Sequence, residues 1–115
     1  MRKTALIIFL LVVAPLFVKA YAHAPEKITI TYDLGTDMLK AVIEHHVDDP
    51  QTHFIKRVDI GLNGKKLITQ EILEQDNPST ETISYMISEV KAGDRVSVEA
   101  FCSVGGSLKE EIVIR

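Results

Sequence analysis

Hydrophobic and polar residues alternate with a period of two along most of the chain after residue 24. In the first stretch Ile28, Ile30 and Tyr32 alternate with lysine and threonine, as in a strand that buries one face. Asn63-Gly64 separates two such stretches and favours a two-residue hairpin turn, because both positions need positive φ. Similar turn signals recur about every ten residues. They divide the chain into seven predicted strands, near residues 27–32, 38–46, 54–62, 65–73, 82–88, 96–104 and 108–114.

No stretch after residue 24 has a convincing helical period, so the pattern predicts an all-β protein. Seven short strands with regular turns are typical of a seven-strand antiparallel immunoglobulin-like β-sandwich, and a small barrel is the alternative. A length of 115 residues allows one domain. Alternation in the third strand places Phe54 on the face of Val58 and Ile60, and Ile55 on the opposite face with Arg57.

The first 22 residues follow a different pattern. Two basic residues precede an apolar run over residues 5–18, and Ala20-Tyr21-Ala22 places small residues where a signal peptidase needs them. The run is shorter than the ~20 residues of a membrane-spanning helix, so a retained anchor is the weaker alternative. We expect residues 1–22 to be a cleaved signal peptide. Residues 23–115 then form a periplasmic or otherwise exported domain with no membrane contact after cleavage.

Removal of the signal peptide changes the charge balance. The whole chain has 13 basic and 16 acidic side chains, and three of the basic ones but none of the acidic ones lie in residues 1–22. The exported part therefore keeps ten basic and 16 acidic side chains, a formal net charge of −6. This balance argues against a nucleic-acid partner, because phosphate contacts need a basic face.

Cys102 is the only cysteine, so the chain forms no internal disulfide. An exported thiol is prone to oxidation unless it is buried or bound to a metal. Cys102 shares strand parity with Val96, Val98 and Ala100, which places it towards the core or the mouth of the sandwich. It is a candidate metal ligand, and a buried inert cysteine is the alternative.

All four histidines lie after the predicted signal peptide, and His23 becomes the first residue if cleavage follows Ala22. His45 and His46 end the second predicted strand and His53 begins the third, so a returning loop can bring them close together. Imidazoles on neighbouring strand ends can share a metal ion, because each offers a neutral nitrogen in a fixed direction. The alternative is that they are polar side chains at the rim of a sheet.

Two parts of the sequence carry a family resemblance. Residues 45–60 read HHVDDPQTHFIKRVDI and residues 62–66 read LNGKK, while residues 91–94 read KAGD and residues 99–106 read EAFCSVGG. The first part is similar to a His-Pro pair followed by a histidine, an aromatic residue, an isoleucine and an amphipathic strand. The second is similar to a cysteine followed by an Asn-x-His-Gly turn. Over most of residues 23–115 the chain thus resembles the iron-binding domain of desulfoferrodoxin and superoxide reductase.

The resemblance implies an immunoglobulin-like sandwich that holds a mononuclear, non-haem ferrous iron and reduces superoxide to peroxide. In that family four histidines surround the iron and a cysteine thiolate is the axial ligand. By resemblance His53 and Cys102 are ligands, and His23 matches the ligand near the N-terminus. His45 matches a further histidine, with His46 as its substitute. The implied partners are the metal ion and a redox protein.

The chain departs from that family at two points. Gly105 stands where the family has its last histidine, and residues 23–115 have no counterpart of the lysine thought to attract superoxide. If the chain binds a metal, the sequence therefore leaves two outcomes open, a superoxide-reducing enzyme and a protein that only binds iron or copper.

Two further similarities give alternatives. The His-Phe-Ile-Lys stretch followed by Asn-Gly-Lys is also similar to the sandwich subunit of the periplasmic Sox sulfur-carrier complex, which scaffolds a partner and binds no metal. An N-terminal histidine on a small exported sandwich is similar to periplasmic copper carriers, in which the terminal amine and imidazole chelate copper. These similarities imply copper as the alternative ion, or a scaffold that meets a protein partner.

Overall fold

The computed structural model describes residues 23–115, and the predicted signal peptide lies outside the described residues. No helix among residues 23–115 is long and apolar enough to cross a membrane. Seven strands make up the regular structure of this part: β1 (Lys27–Asp33), β2 (Met38–Glu44), β3 (Ile55–Leu62), β4 (Lys65–Glu71), β5 (Thr80–Met86), β6 (Arg95–Cys102) and β7 (Ser107–Val113).

The strands form two antiparallel sheets. One sheet has the order β1-β2-β5 and the other β4-β3-β6-β7. The prediction of an all-β, seven-strand antiparallel sandwich is therefore confirmed. The predicted hairpin between β3 and β4 is also present, with φ of 51° at Asn63 and 83° at Gly64.

The hydrophobic core lies between the two sheets, because alternate residues of each sheet point inwards. Leu39, Ala41 and Ile43 of β2 and Val98 and Ala100 of β6 have no exposed surface. Removing such apolar surface from water stabilises the fold by about 25 cal/mol per Å². The packed core thus holds the strand ends, and the connections between them, in fixed positions.

Ile55 departs from the predicted alternation. It pairs with Cys102, whereas Arg57 pairs with Phe101, so β3 has a register shift between Ile55 and Arg57. This irregularity, a β-bulge, changes the parity of the strand, and Ile55 is fully buried in the core. The prediction that Ile55 lies on the outer face with Arg57 is wrong for this reason.

Four parts of the chain meet at one end of the sandwich. The start of β1 pairs with the end of β2, and the end of β2 pairs with the start of β5. The start of β3 pairs with the end of β4 and the end of β6. The segment before β1 and the β2–β3, β4–β5 and β6–β7 connections therefore gather at this end. Those segments contain all the residues of the candidate site except Cys102, which ends β6.

The strands that border the site are shorter than predicted. β2 ends at Glu44, so His45 and His46 lie in the connection that follows it, and His53 lies before the start of β3. Beyond β2 the backbone N–H of His45 donates to Ser79 O and that of Val47 to Pro78 O. The histidines are thus carried by loops that the sheet ends hold in place.

Candidate metal centre

His23, His45 and His53 converge at this end of the sandwich. Their ring centroids form a nearly equilateral triangle with sides of 4.8, 4.9 and 5.0 Å. One ring nitrogen from each lies within 4.8 Å of the other two. Two nitrogens that bind one ion at about 2.1 Å are at most about 4.2 Å apart. A small inward shift would therefore let all three bind the same ion.

His45 is the buried member of the cluster, and its hydrogen bonds fix where its proton lies. The side chain of Gln75 donates from Nε2 to the carbonyl oxygens of His45 (2.8 Å) and Asn77 (2.9 Å). Its Oε1 therefore accepts from the N–H of Ile55 and faces Nδ1 of His45 at 2.8 Å. An amide oxygen only accepts, so Nδ1 of His45 carries the proton and Nε2 carries a lone pair.

Nε2 of His45 is an unpaired polar atom inside the protein. His45 is 0% exposed, and no hydrogen-bond partner for Nε2 exists among residues 23–115. Leaving a buried acceptor unpaired costs about 1–3 kcal/mol. A metal ion bound to this nitrogen would pair with it and remove the penalty.

His53 lies just before β3 and contacts the thiol of Cys102. Its backbone N–H donates to Asp49 O, and its Nε2 lies 3.1 Å from Sγ of Cys102. Burial lowers the pKa of His53, and the neighbouring His45 and His23 lower it further, while Asp48 opposes this. The imidazole is therefore held in its neutral form, which is the form that binds metals.

Cys102 ends β6 and is 1% exposed, on the same face as Val96 and Val98. Its predicted orientation towards the core is confirmed. The N–H of Val104 donates to Sγ at 3.4 Å. A nitrogen about 2.1 Å and a sulfur about 2.3 Å from one ion lie about 3.1 Å apart when the two bonds are perpendicular. The observed separation from His53 thus fits two ligands of one ion.

His23 completes the triangle from the segment before β1. Its Nδ1 lies 3.2 Å from Ala24 O and 3.8 Å from a carboxylate oxygen of Glu26. Because a carbonyl oxygen only accepts, Nδ1 donates and Nε2 is left for an ion. The side chain is 34% exposed, so this is the side of the cluster open to solvent.

His46 lies outside the cluster. Its side chain is 62% exposed, and its Nδ1 and backbone N–H contact Glu26 at 3.4 and 3.2 Å. Of the five predicted ligands, the structure brings together His23, His45 and His53, places Cys102 against His53, and points His46 elsewhere. The resemblance implies a further histidine at position 105. Gly105 occupies that position and lies in the β6–β7 turn with φ of 141°.

The β6–β7 turn connects several parts of the site. The N–H of Cys102 donates to Gly106 O, and that of Gly105 donates to Cys102 O. Ser103 donates its N–H to Phe54 O and accepts the N–H of Phe54 on its hydroxyl, so the turn is tied to the residue after His53.

Sequence reasoning missed three supporting residues, Gln75, Glu26 and Ser103. Gln75 is 2% exposed, but nothing in the sequence around it indicates burial. Its hydrogen-bond partner His45 lies 30 residues away along the chain.

No protein-family model, curated protein or solved structure matches this chain. The geometry of the site itself therefore carries the functional inference.

Proposed function

We propose that the chain is a mononuclear metal-binding protein whose ion is held by His23, His45, His53 and Cys102. The observation that carries the proposal is the buried, unpaired Nε2 of His45, whose lone pair is fixed by the hydrogen bond from Nδ1 to Gln75. A ligating histidine typically donates its other ring N–H to such an acceptor, which orients the ring and raises its basicity.

The alternative interpretation, polar histidines at a sheet rim, accounts for His46 but not for His45. An exposed imidazole has water for both nitrogens, whereas a buried one needs a partner for each. His45 has a protein partner for only one nitrogen among the described residues. Two further imidazoles and a thiol beside it are the donors that transition metals prefer.

Iron is the ion that the resemblance implies, and we propose it first, with copper as the alternative. Imidazole suits iron, copper and zinc, and a thiolate favours the softer ions. Ferrous iron, when bound, would supply one electron to superoxide, which takes up two protons to give hydrogen peroxide. When the ion is bound, the chain would contribute the Cys102 thiolate, which would donate electron density to it, and a solvent-exposed side at His23. Superoxide reduction is a separate proposal from metal binding, because the cluster has three imidazoles where the family has four.

Metal titration tests the binding proposal. We expect the purified chain, loaded anaerobically with ferrous iron, cuprous copper or zinc in separate samples, to retain about one ion after desalting. His45→Ala should weaken binding at least about 100-fold, since it removes the preoriented ligand. His46→Ala is the matched control and should bind like the native chain. A chain that retains no ion, or equal losses in the two variants, would reject the proposal.

Experiments on the iron-loaded chain distinguish a superoxide reductase from a metal carrier. A ferric or cupric thiolate has a visible charge-transfer band, and Cys102→Ser should abolish it because a hydroxyl cannot replace the soft sulfur. Consumption of superoxide with formation of peroxide would support the reductase proposal. Tight binding without that reaction would leave a metal carrier.

A further inference from the structure

The segment before β1 packs against a glycine of the β6–β7 turn. A methyl group added at Gly106 would lie 2.8 Å from N and 3.1 Å from Cα of Ala24, and 3.2 Å from the carbonyl carbon of His23. These are backbone atoms, so no rotation of a side chain relieves the overlap. We call His23 and Ala24 the N-terminal arm.

Among residues 23–115, little else holds the arm. The first backbone hydrogen bond along this part of the chain is donated by the N–H of Glu26 to Glu44 O. The arm itself is held by packing and by the contacts of the His23 ring with Glu26, His45 and His53. Gly106, in contrast, is fixed within the turn, because its carbonyl accepts the N–H of Cys102 at 2.9 Å. A side chain at Gly106 would therefore displace the arm rather than the turn.

We propose that Gly106 is a positioning residue of the metal centre, because its missing side chain lets the arm lie where His23 meets His45 and His53. This inference rests on the proposed metal-binding function. It divides the site into two parts. His45, His53 and Cys102 are fixed at the end of the sandwich, whereas His23 is on an arm that packs over the turn. Lifting of the arm then exposes the ion, and the residence time of the ion depends on the fit at Gly106.

Gly106→Ala tests this inference against Gly93→Ala. The two glycines have nearly the same φ, +91° and +94°, so alanine meets the same backbone strain at both. Apart from Gly93 itself and its two chain neighbours, no residue of 23–115 has a heavy atom within 4 Å of a methyl group at Gly93. The difference between the variants therefore isolates the contact with the arm.

We expect Gly106→Ala to release its ion at least about tenfold faster than the native chain, the size of effect typical of groups that orient a ligand. Gly93→Ala should release the ion at the native rate, and its folding free energy should fall by about as much as that of Gly106→Ala. Transfer of zinc, or of ferrous iron if zinc is not retained, to a chromophoric chelator measures the rate. Equal release rates in the two variants would overturn the inference.

A double-mutant cycle checks that the effect acts through His23. In a His23→Ala background, Gly106→Ala should have no further effect on the release rate of the ion, and a full further effect would overturn the inference.

If Gly106→Ala does not fold, a hydrogen-exchange measurement on the native chain takes the place of the release experiment. Ion binding should then slow exchange of the Ala24 amide at least about tenfold and leave that of Gly93 unchanged. No slowing would overturn the inference, whereas failure of the native chain to bind any ion would reject the proposed function itself.

Discussion

Two adjacent histidines show how strongly the environment decides the chemistry of a residue. His45 is fully buried and pairs with Gln75, whereas the side chain of His46 is exposed and contacts Glu26. The residue type is the same, but only His45 has one nitrogen paired and the other unpaired inside the protein. Gln75 creates this difference, because its amide can present only the oxygen to Nδ1 while its nitrogen donates to two carbonyls.

We therefore predict that Gln75→Met weakens ion binding about 10–100-fold, since it removes the acceptor that orients His45. It should also cost about 1–3 kcal/mol of folding free energy, because the buried carbonyl of His45 and the carbonyl of Asn77 lose their donor. Nitrogen chemical shifts of His45 should report a proton on Nδ1 in the native chain and a mixture of tautomers in the variant.

Gln70 provides the matched control for this prediction. It is a glutamine of β4 whose side chain accepts the hydroxyl of Tyr85. Gln70→Met should reduce stability and leave ion affinity unchanged. Native affinity in Gln75→Met, or equal losses of affinity in both variants, would show that Gln75 does not position His45.

At the scale of elements, the β6–β7 turn organises the site. It begins at Cys102, contacts the N-terminal arm at Gly106, and is bonded to Phe54 through Ser103. One short turn thus affects the thiol, His23 and the neighbour of His53. Loops held by a rigid sheet commonly carry functional groups in this way.

Ser103→Ala tests this role of the turn. We expect a loss of about 1 kcal/mol of stability, because the N–H of Phe54 loses the hydroxyl acceptor. Since Phe54 follows His53, the ion should also dissociate several-fold faster, as seen by chelator transfer. Ser107→Ala, at an exposed serine at the start of β7, is the control and should leave both quantities unchanged. A loss of stability in Ser103→Ala without faster dissociation would mean that the turn does not position the ligands.

At the scale of the whole molecule, a buried carboxyl makes folding depend on pH. Glu81 lies on the inward face of β5 with Ile83 and is 5% exposed. Burial raises the pKa of Glu81 to about 7, the hydrogen bond from the Asp76 N–H opposes this, and the charge of Asp76 raises it further. The folded state therefore binds a proton more tightly than the unfolded chain does.

The stability that this proton provides is full below the unfolded pKa of 4.5 and is lost as pH rises through about 7. We predict that the metal-free chain loses on the order of 2 kcal/mol from this group between about pH 5 and about pH 8. Glu81→Gln should remove that loss, because glutamine does not ionise.

Chemical denaturation at several pH values, with a chelator present, measures the effect. His53 acts in the opposite direction, since its lowered pKa reduces stability as pH falls below about 6.5. The difference between the native chain and Glu81→Gln cancels this contribution. Glu110→Gln, at an exposed position of β7, should keep the native pH dependence. An unchanged pH dependence in Glu81→Gln would contradict the prediction.

The sequence by itself determined the strands, their number and the direction of Cys102. Side-chain alternation and turn residues are local properties, so they could be read along the chain without knowledge of the partners. The Asn63-Gly64 hairpin is an example, because the need for positive φ is a property of those two residues. Local patterns also indicated that the histidines lie near strand ends.

The tertiary structure alone decided how the candidate site is arranged. The bulge that buries Ile55 depends on pairing with β6, and the hydrogen bond that distinguishes His45 from His46 is made with Gln75, 30 residues away. The contact of Gly106 with the arm joins two segments that lie far apart along the chain. Burial and the position of a proton are set by groups that folding brings together, and their sequence separation leaves no periodic signal. For that physical reason the sequence could nominate ligands but could not show which of them meet.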